Sequence, residues 1–205
     1  MTPQPILIVF LKYPRSGKVK TRLAASIGGN AAAQLYRQWI GIVLRNVQPV
    51  RANIRVVGYY DGAAADEFAE WAAFVDEWLP QPAGDLGARL AHAFDWGHKH
   101  GGPVLAIGTD CLELDATHIR EALARLQNVD IVFGPATDGG YYLVGMHEHL
   151  PQVFDQIRWS SPNTLDDSIA RCNELAVRTA HLLLLADIDT LADWHAYQRR
   201  RGEST

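Results

Sequence analysis

The sequence predicts a single-domain α/β protein with a mainly parallel β-sheet covered by helices. Short apolar runs alternate with longer amphipathic segments along the chain, and this alternation is typical of successive βαβ units. A length of 205 residues supports one substantial core, whereas two full domains would each be small. We therefore expect one domain that covers residues 1–205.

The first half of the chain is expected to supply two strands and three helices. Residues 6–11 form a continuous apolar run and predict a buried strand, and residues 54–60 predict a second one. Apolar residues at helical spacing predict helices over residues 31–47, 64–73 and 86–98. A loop through Gly17 separates the first strand from the first of these helices.

The second half is expected to continue the alternation. Strands are predicted at residues 104–107, 130–133 and 141–144, and a further apolar run covers residues 182–185. Asp115 can cap a helix that runs through Leu126, Ser161 followed by proline can begin another, and Thr190 can cap the last. A polar, Gly-rich turn joins the second and third of these strands.

Composition excludes several classes of protein. A net charge of −4 gives no general attraction to nucleic acid or to an anionic membrane. The two cysteines, Cys111 and Cys172, form no Cys-x-x-Cys pair and no cluster with zinc spacing. No apolar stretch approaches the roughly 20 residues that span a bilayer, and residues 6–11 lack the flanks of a signal peptide. We expect a cytoplasmic protein without a membrane span and without a nucleic acid partner.

The loop at residues 12–22 carries five basic side chains within eleven positions: Lys12, Arg15, Lys18, Lys20 and Arg22. Lysine and arginine donate hydrogen bonds to phosphate oxygens, and Gly17 lets the backbone approach a ligand. A P-loop is excluded, because Val19 stands where Ser or Thr should follow the lysine and the upstream glycine is missing. The loop therefore favours diphosphate binding, and a solvated basic loop is the alternative.

Asp110 follows the apolar run at residues 104–107, so a strand delivers a carboxylate at its carboxyl end. Ligands of open parallel sheets bind in the crevice beyond these ends. Oxygen ligands suit Mg²⁺ or Mn²⁺, and magnesium often takes one or two carboxylates together with substrate phosphates. Asp110 is therefore a candidate metal ligand, although an Asx turn or a helix cap would use the same residue type.

A second acidic segment, Asp187 and Asp189, follows the apolar run at residues 182–185. In an extended segment both carboxylates point to the same side, so that one of them can complete the metal shell begun by Asp110. Spacing alone leaves open which of the two does so. It also leaves open that both only cap the last helix.

Two further segments are candidates for substrate contacts. The turn at residues 137–142 exposes Asp138 and a tyrosine, although Asp-Gly between apolar runs is also the strongest hairpin signal. The segment at residues 84–89 opens a helix with Asp85 and Arg89. These two residues can contact a ribose or nucleobase, or can only cap and charge the end of the helix.

Together, these segments resemble the radical-SAM/selenodomain-associated transferases, a bacterial family related to the A-type glycosyltransferases. The resemblance spans nearly the whole chain and is carried by residues 10–14 with 17–23, 84–90, 108–111, 134–143, 159–162 and 187–190. The chain departs from the pattern at Leu112, where the family usually has proline, and at Leu191 and Ala192, which replace Pro-Glu.

The resemblance implies a Rossmann-like three-layer sandwich of the nucleotide-diphospho-sugar transferase (GT-A) type. It also implies Asp110 as the metal-binding acid and Asp189 as its partner. Members of this fold either transfer a sugar from a nucleotide sugar, or join a nucleotide to a phosphorylated acceptor and release pyrophosphate.

Our leading hypothesis is glycosyl transfer from a nucleotide sugar to a small acceptor, with Mg²⁺ or Mn²⁺ held by Asp110 and Asp189. Lys20 and Arg22 would assist the departing nucleoside diphosphate, and Asp138 would orient or deprotonate an acceptor hydroxyl. The nucleotide and its phosphates are assigned to Lys12, Gly17, Lys20, Arg22, Asp85 and Arg89. The acceptor pocket is assigned to Asp138, Gly139, Gly140, Tyr141 and Trp159. Nucleotidyl transfer from a nucleoside triphosphate is the alternative, and a non-catalytic nucleotide-binding protein is a third hypothesis. The oligomeric state stays open.

Overall fold

The computed structural model describes residues 3–202, and its seven strands form one sheet in the order β3-β2-β1-β4-β6-β5-β7. The strands are β1 (Ile6–Lys12), β2 (Arg55–Asp61), β3 (Glu77–Pro80), β4 (Val104–Ile107), β5 (Ile131–Pro135), β6 (Tyr141–Met146) and β7 (Thr179–His181). The α-helices are α1 (Thr21–Ile27), α2 (Gly29–Val47), α3 (Leu86–His100), α4 (Ala116–Arg125), α5 (Thr164–Glu174) and α6 (Leu191–Arg200). Short 3-10 helices cover Gln48–Val50, Ala65–Phe74 and Pro151–Phe154. None of the helices within the described range is long and apolar enough to cross a bilayer.

The sheet is mainly parallel, and its topology places a crevice next to β1. This strand pairs in parallel with both β2 and β4, while β6 runs antiparallel between β4 and β5. From β1 the chain moves outward through β2 to β3 and then returns to β4 on the other side of β1. Ligands of open α/β sheets bind beyond the carboxyl ends of the strands at such a reversal.

Helices cover both faces of the sheet. Successive side chains of a strand point to opposite faces, and in β1 the side chains on both faces are buried. Leu7 and Val9 pack with α1, α2, α4 and α6, whereas Ile6 and Ile8 pack with α3 and α5. The result is a three-layer arrangement in which the central strand β1 is buried on both sides. Continuous apolar runs are typical of such strands.

Most predicted elements are present, with shifts of a few residues. The strand at residues 104–107 has the predicted bounds, and the helix predicted at residues 31–47 begins two residues earlier. The helix predicted at residues 64–73 is a 3-10 helix, and α5 begins at Thr164 rather than at Ser161. Ser161 instead lies in a turn, where its carbonyl accepts a hydrogen bond from the Thr164 amide.

The sequence analysis missed α1, β3 and β7, and one apolar run proved to lie outside the strands. The helix α1 directly follows the basic loop, and β3 is a short edge strand of half-exposed residues, so neither shows a clear apolar period. The strand β7 ends before the apolar run at residues 182–185, where Leu183 and Leu184 are 70% and 61% exposed. An edge strand needs less apolar surface than a central one, so hydrophobicity is a poor guide to its position.

Candidate active site

A cavity of about 770 Å³ lies at the carboxyl ends of β1 and β4, and a smaller one of about 300 Å³ adjoins it. The residues that line both cavities are Lys12, Arg22, Tyr36, Asp110 and Asp189. The larger volume is in the usual range for small-molecule sites. The two cavities therefore form one crevice at the position that the topology favours for a ligand.

Lys20 lies between Asp110 and Asp189 and pairs with both carboxylates. Its Nζ is 2.9 Å from Asp110 Oδ1 and 2.8 Å from Asp189 Oδ1, and it donates to the carbonyl oxygen of Ile188 at 2.6 Å. The side chain is only 5% exposed. Burial alone would lower the pKa of Lys20, but the two adjacent carboxylates outweigh it and raise this pKa above its ordinary value. The ammonium is therefore fully charged and has an oxygen partner for each of its three protons.

The backbone and an aromatic ring hold Lys20 in this position. It precedes α1 with φ 45° and ψ 50°, a left-handed conformation that costs a lysine about 1 to 2 kcal/mol. The ring of Trp39 is fully buried and lies 5.5 Å from Nζ, which adds a cation–π contact. Trp194 of α6 packs against Trp39 at a centroid distance of 5.4 Å. Three helices thus fix the lysine.

The acidic segments that meet at Lys20 are joined through the backbone. The Ile188 amide donates to the carbonyl oxygen of Asp110 at 3.0 Å, which brings residues 187–189 next to the end of β4. Asp189 Oδ2 also accepts from Arg22 Nη1 at 3.3 Å. The structure thus brings together Lys20, Arg22, Asp110 and Asp189, which the sequence analysis assigned to one site.

The other basic residues of the loop differ in their surroundings. Lys12 lies 4.0 Å from Asp61 and lines both cavities, and Lys18 lines the smaller one. Arg15 points elsewhere and lies 3.8 Å from Glu67. Gly17 has a left-handed φ of 71° and lines neither cavity. Its place in the structure is the turn of the loop.

Tyr36 of α2 is a site residue that the sequence analysis missed. Its hydroxyl is 2.8 Å from Thr109 Oγ1 and accepts from the Lys12 amide at 3.3 Å. Burial, together with the nearby negative charge of Asp110, raises the pKa of Tyr36 to about 12. The phenol therefore stays protonated and links the ends of β1 and β4. In the sequence it cannot be told from any other core position of an amphipathic helix.

Asp85 and Arg89, predicted to contact the nucleotide, line neither cavity. Asp85 Oδ1 accepts from the Ala88 amide at 2.9 Å and caps α3. Arg89 Nη1 donates to Asp61 Oδ2 at 3.1 Å and to Gln81 Oε1 at 2.9 Å. In this structure the two residues cap a helix and support the ends of neighbouring strands.

Gln81 is a second residue that the sequence analysis missed. Its side-chain amide donates to the carbonyl oxygens of Tyr59 and Leu11, at 2.7 and 3.3 Å, and it lines the larger cavity. It therefore joins the carboxyl ends of β1 and β2 to α3 through Arg89. A lone glutamine after a short edge strand carries no recognisable signal in the sequence.

The turn between β5 and β6 forms another wall of the larger cavity. Asp138, Gly140 and Tyr141 line it, and Asp138 Oδ1 accepts from the Gly140 amide at 2.8 Å. Gly139 has φ 87° and lies against the carbonyl oxygen of Pro162, so a side chain there would collide with backbone. The turn holds the Asp138 carboxylate in a defined orientation.

Trp159, assigned to the acceptor pocket, lies behind this wall. Its ring meets that of Tyr141 edge to face at 6.4 Å, and its indole nitrogen lies against Gly87 of α3. It does not line the cavity itself. Its contacts support Tyr141 and the start of α3.

Asp187 and Asp189 have different surroundings in the structure. Asp189 faces Lys20 and Arg22, whereas Asp187 Oδ1 accepts from Thr137 Oγ1 at 3.1 Å. Burial, reinforced by the nearby carboxylates of Asp138 and Asp189, raises the pKa of Asp187. Asp187 therefore lies near Asp138, and it lines the larger cavity but not the smaller one.

Charge is distributed unevenly around the larger cavity. Among its described lining residues, the basic ones are Lys12 and Arg22, and both also line the smaller cavity. Asp138 and Asp187 line only the larger one. The part of the crevice that both cavities share thus carries positive charge beside Asp110 and Asp189, and the rest of the larger cavity carries two carboxylates.

The residues that could hold a divalent cation are Asp110 and Asp189. Within residues 3–202, no three His, Cys, Asp or Glu side chains are arranged to hold a metal by themselves. Two carboxylates with substrate phosphates are nevertheless a common ligand set for magnesium. The Lys20 ammonium between the two carboxylates marks this point as one that favours a positive charge, so the residues fit a cation.

Comparisons with known proteins agree with this architecture. The model of a family described as "Uncharacterized protein conserved in bacteria" (DUF2064) matches residues 44–161. A proposed nucleotide-diphospho-sugar transferase from Desulfovibrio desulfuricans G20 has a similar structure, with a TM-score of 0.88 and 30% sequence identity, over 100% of this chain and 90% of that chain. No curated protein matches the sequence.

More distant structures share the fold. A cytidylyltransferase from Leptospira borgpetersenii serovar Hardjo-bovis has a TM-score of 0.62 at 12% identity, over 98% of this chain and 88% of that chain. Glucosyl-3-phosphoglycerate synthase from Mycobacterium tuberculosis, solved with Mn²⁺, UDP and glucosyl-3-phosphoglycerate, has a TM-score of 0.58 at 9% identity, over 97% and 76%.

These likenesses confirm the predicted fold class, which is the nucleotide-diphospho-sugar transferase fold of transferase enzymes. The match to the family model covers more than half of the chain, and the relative from Desulfovibrio extends over all of it. The chain therefore belongs to the DUF2064 family of bacterial proteins.

Proposed function

We propose that this chain is a metal-dependent glycosyltransferase that moves a sugar from a nucleotide sugar to a hydroxyl group of a small acceptor without a phosphate group. The observation that carries the proposal is the uneven charge of the larger cavity. Basic side chains lie at the end shared with the smaller cavity, and Asp138 and Asp187 lie at the other end.

The basic end suits a nucleoside diphosphate. Lys12, Lys18 and Arg22 face the two cavities, and Lys20 lies among them. Fixed cations stabilise the charge that develops on a departing diphosphate. Arg22 is 74% exposed and has only a long contact to Asp189, so it can turn toward a phosphate at little cost.

A divalent cation would be held at this end by Asp110 and Asp189. When bound, it would neutralise charge on the leaving diphosphate. Asp110 is half exposed to the cavity, and Lys20 pairs with only one of its carboxylate oxygens. Asp189 is braced by Lys20 and Arg22. Mg²⁺ and Mn²⁺ both suit such oxygen ligands.

The acidic end suits a hydroxyl acceptor. Asp138 is oriented by the Gly140 amide and can accept the proton of a hydroxyl group, a role that contributes about 10² to 10⁴ in rate in enzymes. A phosphorylated acceptor would instead face Asp138 and Asp187, and among the described lining residues the basic ones all belong to the part shared with the smaller cavity. Two like charges about 4 Å apart near a protein surface repel by about 4 kcal/mol. Anionic acceptors are therefore disfavoured.

Nucleotidyl transfer is the rival, and the number of basic side chains that face the cavities argues against it. A triphosphate needs more neutralisation than a diphosphate, and the five basic residues of the loop would suit it. However, Arg15 lines neither cavity, and Lys20 is buried between two carboxylates in the free protein. Lys12, Lys18 and Arg22 are the basic loop side chains that line the cavities without lying between carboxylates.

We further propose that the chain is one catalytic domain over residues 1–205 and belongs to the radical-SAM/selenodomain-associated transferases within its family. The six motif segments that carry the resemblance support the second statement. A cytoplasmic location is supported by Cys111 and Cys172, which are buried free thiols.

Product analysis tests the proposed reaction. The purified chain is incubated with Mn²⁺ or Mg²⁺, a panel of nucleotide sugars or nucleoside triphosphates, and small polyol and phosphorylated acceptors. We expect release of a nucleoside diphosphate that disappears in Asp110→Asn and persists in Asp66→Asn, an exposed acid outside the crevice. Release of pyrophosphate would instead establish the rival reaction.

A further inference from the structure

We infer that Lys20 couples the binding of a divalent cation to the binding of a diphosphate, by occupying the space between Asp110 and Asp189 until phosphates draw its ammonium away. This inference rests on the proposed function. It concerns the free protein, in which the Lys20 ammonium already pairs with both carboxylates.

The charges around the two carboxylates balance each other. Asp110 and Asp189 carry two negative charges, and Lys20 and Arg22 carry two positive ones, all within ion-pair distance. The cluster is therefore neutral. A divalent cation that approaches it meets no net negative charge, unlike one that approaches two unpaired carboxylates.

Lys20 also occupies the space that a shared cation would need. Lys20 Nζ lies within 3 Å of one oxygen from each carboxylate, so an ion that uses these two oxygens together must take its place. Asp189 has no oxygen left unpaired, because Arg22 contacts the second one. An ion that bridges the two Oδ1 atoms therefore requires Lys20 to move, whereas one that uses Asp189 Oδ2 displaces the exposed Arg22.

Lys20 needs another anion if it leaves the two carboxylates. A buried ammonium that loses its partners pays a large desolvation penalty unless another anion replaces them. Among the described residues that line the smaller cavity, Asp110 and Asp189 are the only acids. The other described polar residues there, Lys12, Lys18, Thr21, Arg22 and Tyr36, carry no negative charge, so a ligand is the source of the replacement anion. A diphosphate meets this need.

The consequence is reciprocal. A diphosphate releases the carboxylates by taking Lys20, and an ion between the carboxylates releases Lys20 for the diphosphate. Each ligand therefore raises the affinity for the other by the same factor. A metal that contacts both the carboxylates and the diphosphate couples their binding even without Lys20. The contribution of Lys20 is the part of the coupling that is lost when Lys20 is replaced.

The test measures Mn²⁺ binding by electron paramagnetic resonance and calorimetry, without any turnover. The wild-type chain is compared with Lys20→Met, which keeps the length of the side chain and removes its charge. Arg22→Gln is the control, because it removes a charge that also contacts Asp189, at 3.3 Å, but is solvent-exposed. Lys20→Gln is a second variant in case the methionine impairs folding, which thermal unfolding monitors.

We expect Lys20→Met to bind Mn²⁺ alone about tenfold more tightly than the wild type, in the range of typical coupling between sites. Arg22→Gln should change this affinity much less. Inorganic pyrophosphate, added as the probe, should tighten Mn²⁺ binding strongly in the wild type and weakly in Lys20→Met.

Three results would overturn the inference, and they differ in what they say about the proposed function. Equal affinity of wild type and both Lys20 variants for Mn²⁺ alone removes the lysine from cation binding and leaves a metal-dependent transferase intact. Equal gains in Lys20→Met and Arg22→Gln reduce the effect to general charge. Failure of every protein to bind Mn²⁺, with or without pyrophosphate, removes the metal from the proposed function as well.

Discussion

The hydroxyl of Tyr36 lies 2.8 Å from Thr109 Oγ1 and joins the helix after the basic loop to the segment that carries Asp110. Both residues are at most 5% exposed, so the pair is largely shielded from bulk water. The pair therefore matters for stability and for the position of Asp110.

Tyr36→Phe should lower the free energy of unfolding by about 1 to 3 kcal/mol, because it leaves Thr109 without this partner. Urea unfolding measures the loss. Tyr60→Phe, which alters a half-buried tyrosine packed against the same side of the core, is the control and should cost less. Adding Thr109→Val to Tyr36→Phe should cost less than the sum of the single changes, and full additivity would contradict a direct interaction.

The fold was predictable because its signals are local. Apolar runs marked β1 and β4, and helical spacing marked α2 and α3. The sequence also indicated that Asp110 and Asp189 would meet near a basic loop. What it could not indicate is that Lys20 itself lies between them, because that depends on a left-handed residue in an irregular loop.

Residues that join distant segments were not predictable. Tyr36 and Thr109 are 73 positions apart, and Gln81 reaches back 70 positions to Leu11. Each is an ordinary core or loop residue by composition. Only the packing of strands with different sequence positions gives such residues a role in the site.

Removing the cap of α3 separates a structural role of Asp85 from a ligand-binding one. Asp85→Ala should lower the free energy of unfolding by about 1 kcal/mol, since the Ala88 amide loses its acceptor. Asp85→Ser keeps a capping oxygen and should stay near wild type. If Asp85→Ser bound nucleoside diphosphates more weakly but bound pyrophosphate normally, the carboxylate would contact ribose or base after all.

The turn that orients Asp138 depends on Gly139. Gly139→Ala should cost about 2 to 4 kcal/mol, the sum of left-handed strain and a collision with the Pro162 carbonyl. Gly17→Ala is the matched control, because Gly17 is also left-handed but has open space around it. It should cost about 1 to 2 kcal/mol from strain alone. Equal losses in chemical denaturation would show that the contact with Pro162 is not limiting.

Acid should destabilise the protein partly through His98. Burial lowers the pKa of His98 below its ordinary value of 6.5, and the nearby His149 adds to this effect, although the Phe94 carbonyl accepts a hydrogen bond from Nδ1. The unfolded chain then binds more protons than the folded one as pH falls below about 6.5. The free energy of unfolding should decrease from that pH down through the lowered pKa.

His98→Gln should flatten this part of the pH profile, and His100→Gln, at an exposed histidine of the same helix, should leave it unchanged. Unfolding by urea at a series of pH values between 5 and 8 measures both, with the window set by the direction of the His98 shift. An unaltered slope in His98→Gln would assign the acid sensitivity to other groups.

The acceptor end offers the sharpest test of the proposed chemistry. Asp138 and Asp187 face the larger cavity, and among its described lining residues no basic side chain belongs to this end alone. With a nucleotide sugar that the enzyme turns over, a neutral polyol should therefore be used better than its phosphate ester.

Asp138→Asn should lower kcat by about 10² or more if this carboxylate accepts the proton. Asp187→Asn leaves the Asp138 carboxylate in place. It should mainly weaken the discrimination against the phosphate ester, which would appear as a lower KM for the ester. A wild-type preference for the ester would mean that the two carboxylates do not face the acceptor, and the case for a neutral hydroxyl acceptor would fail.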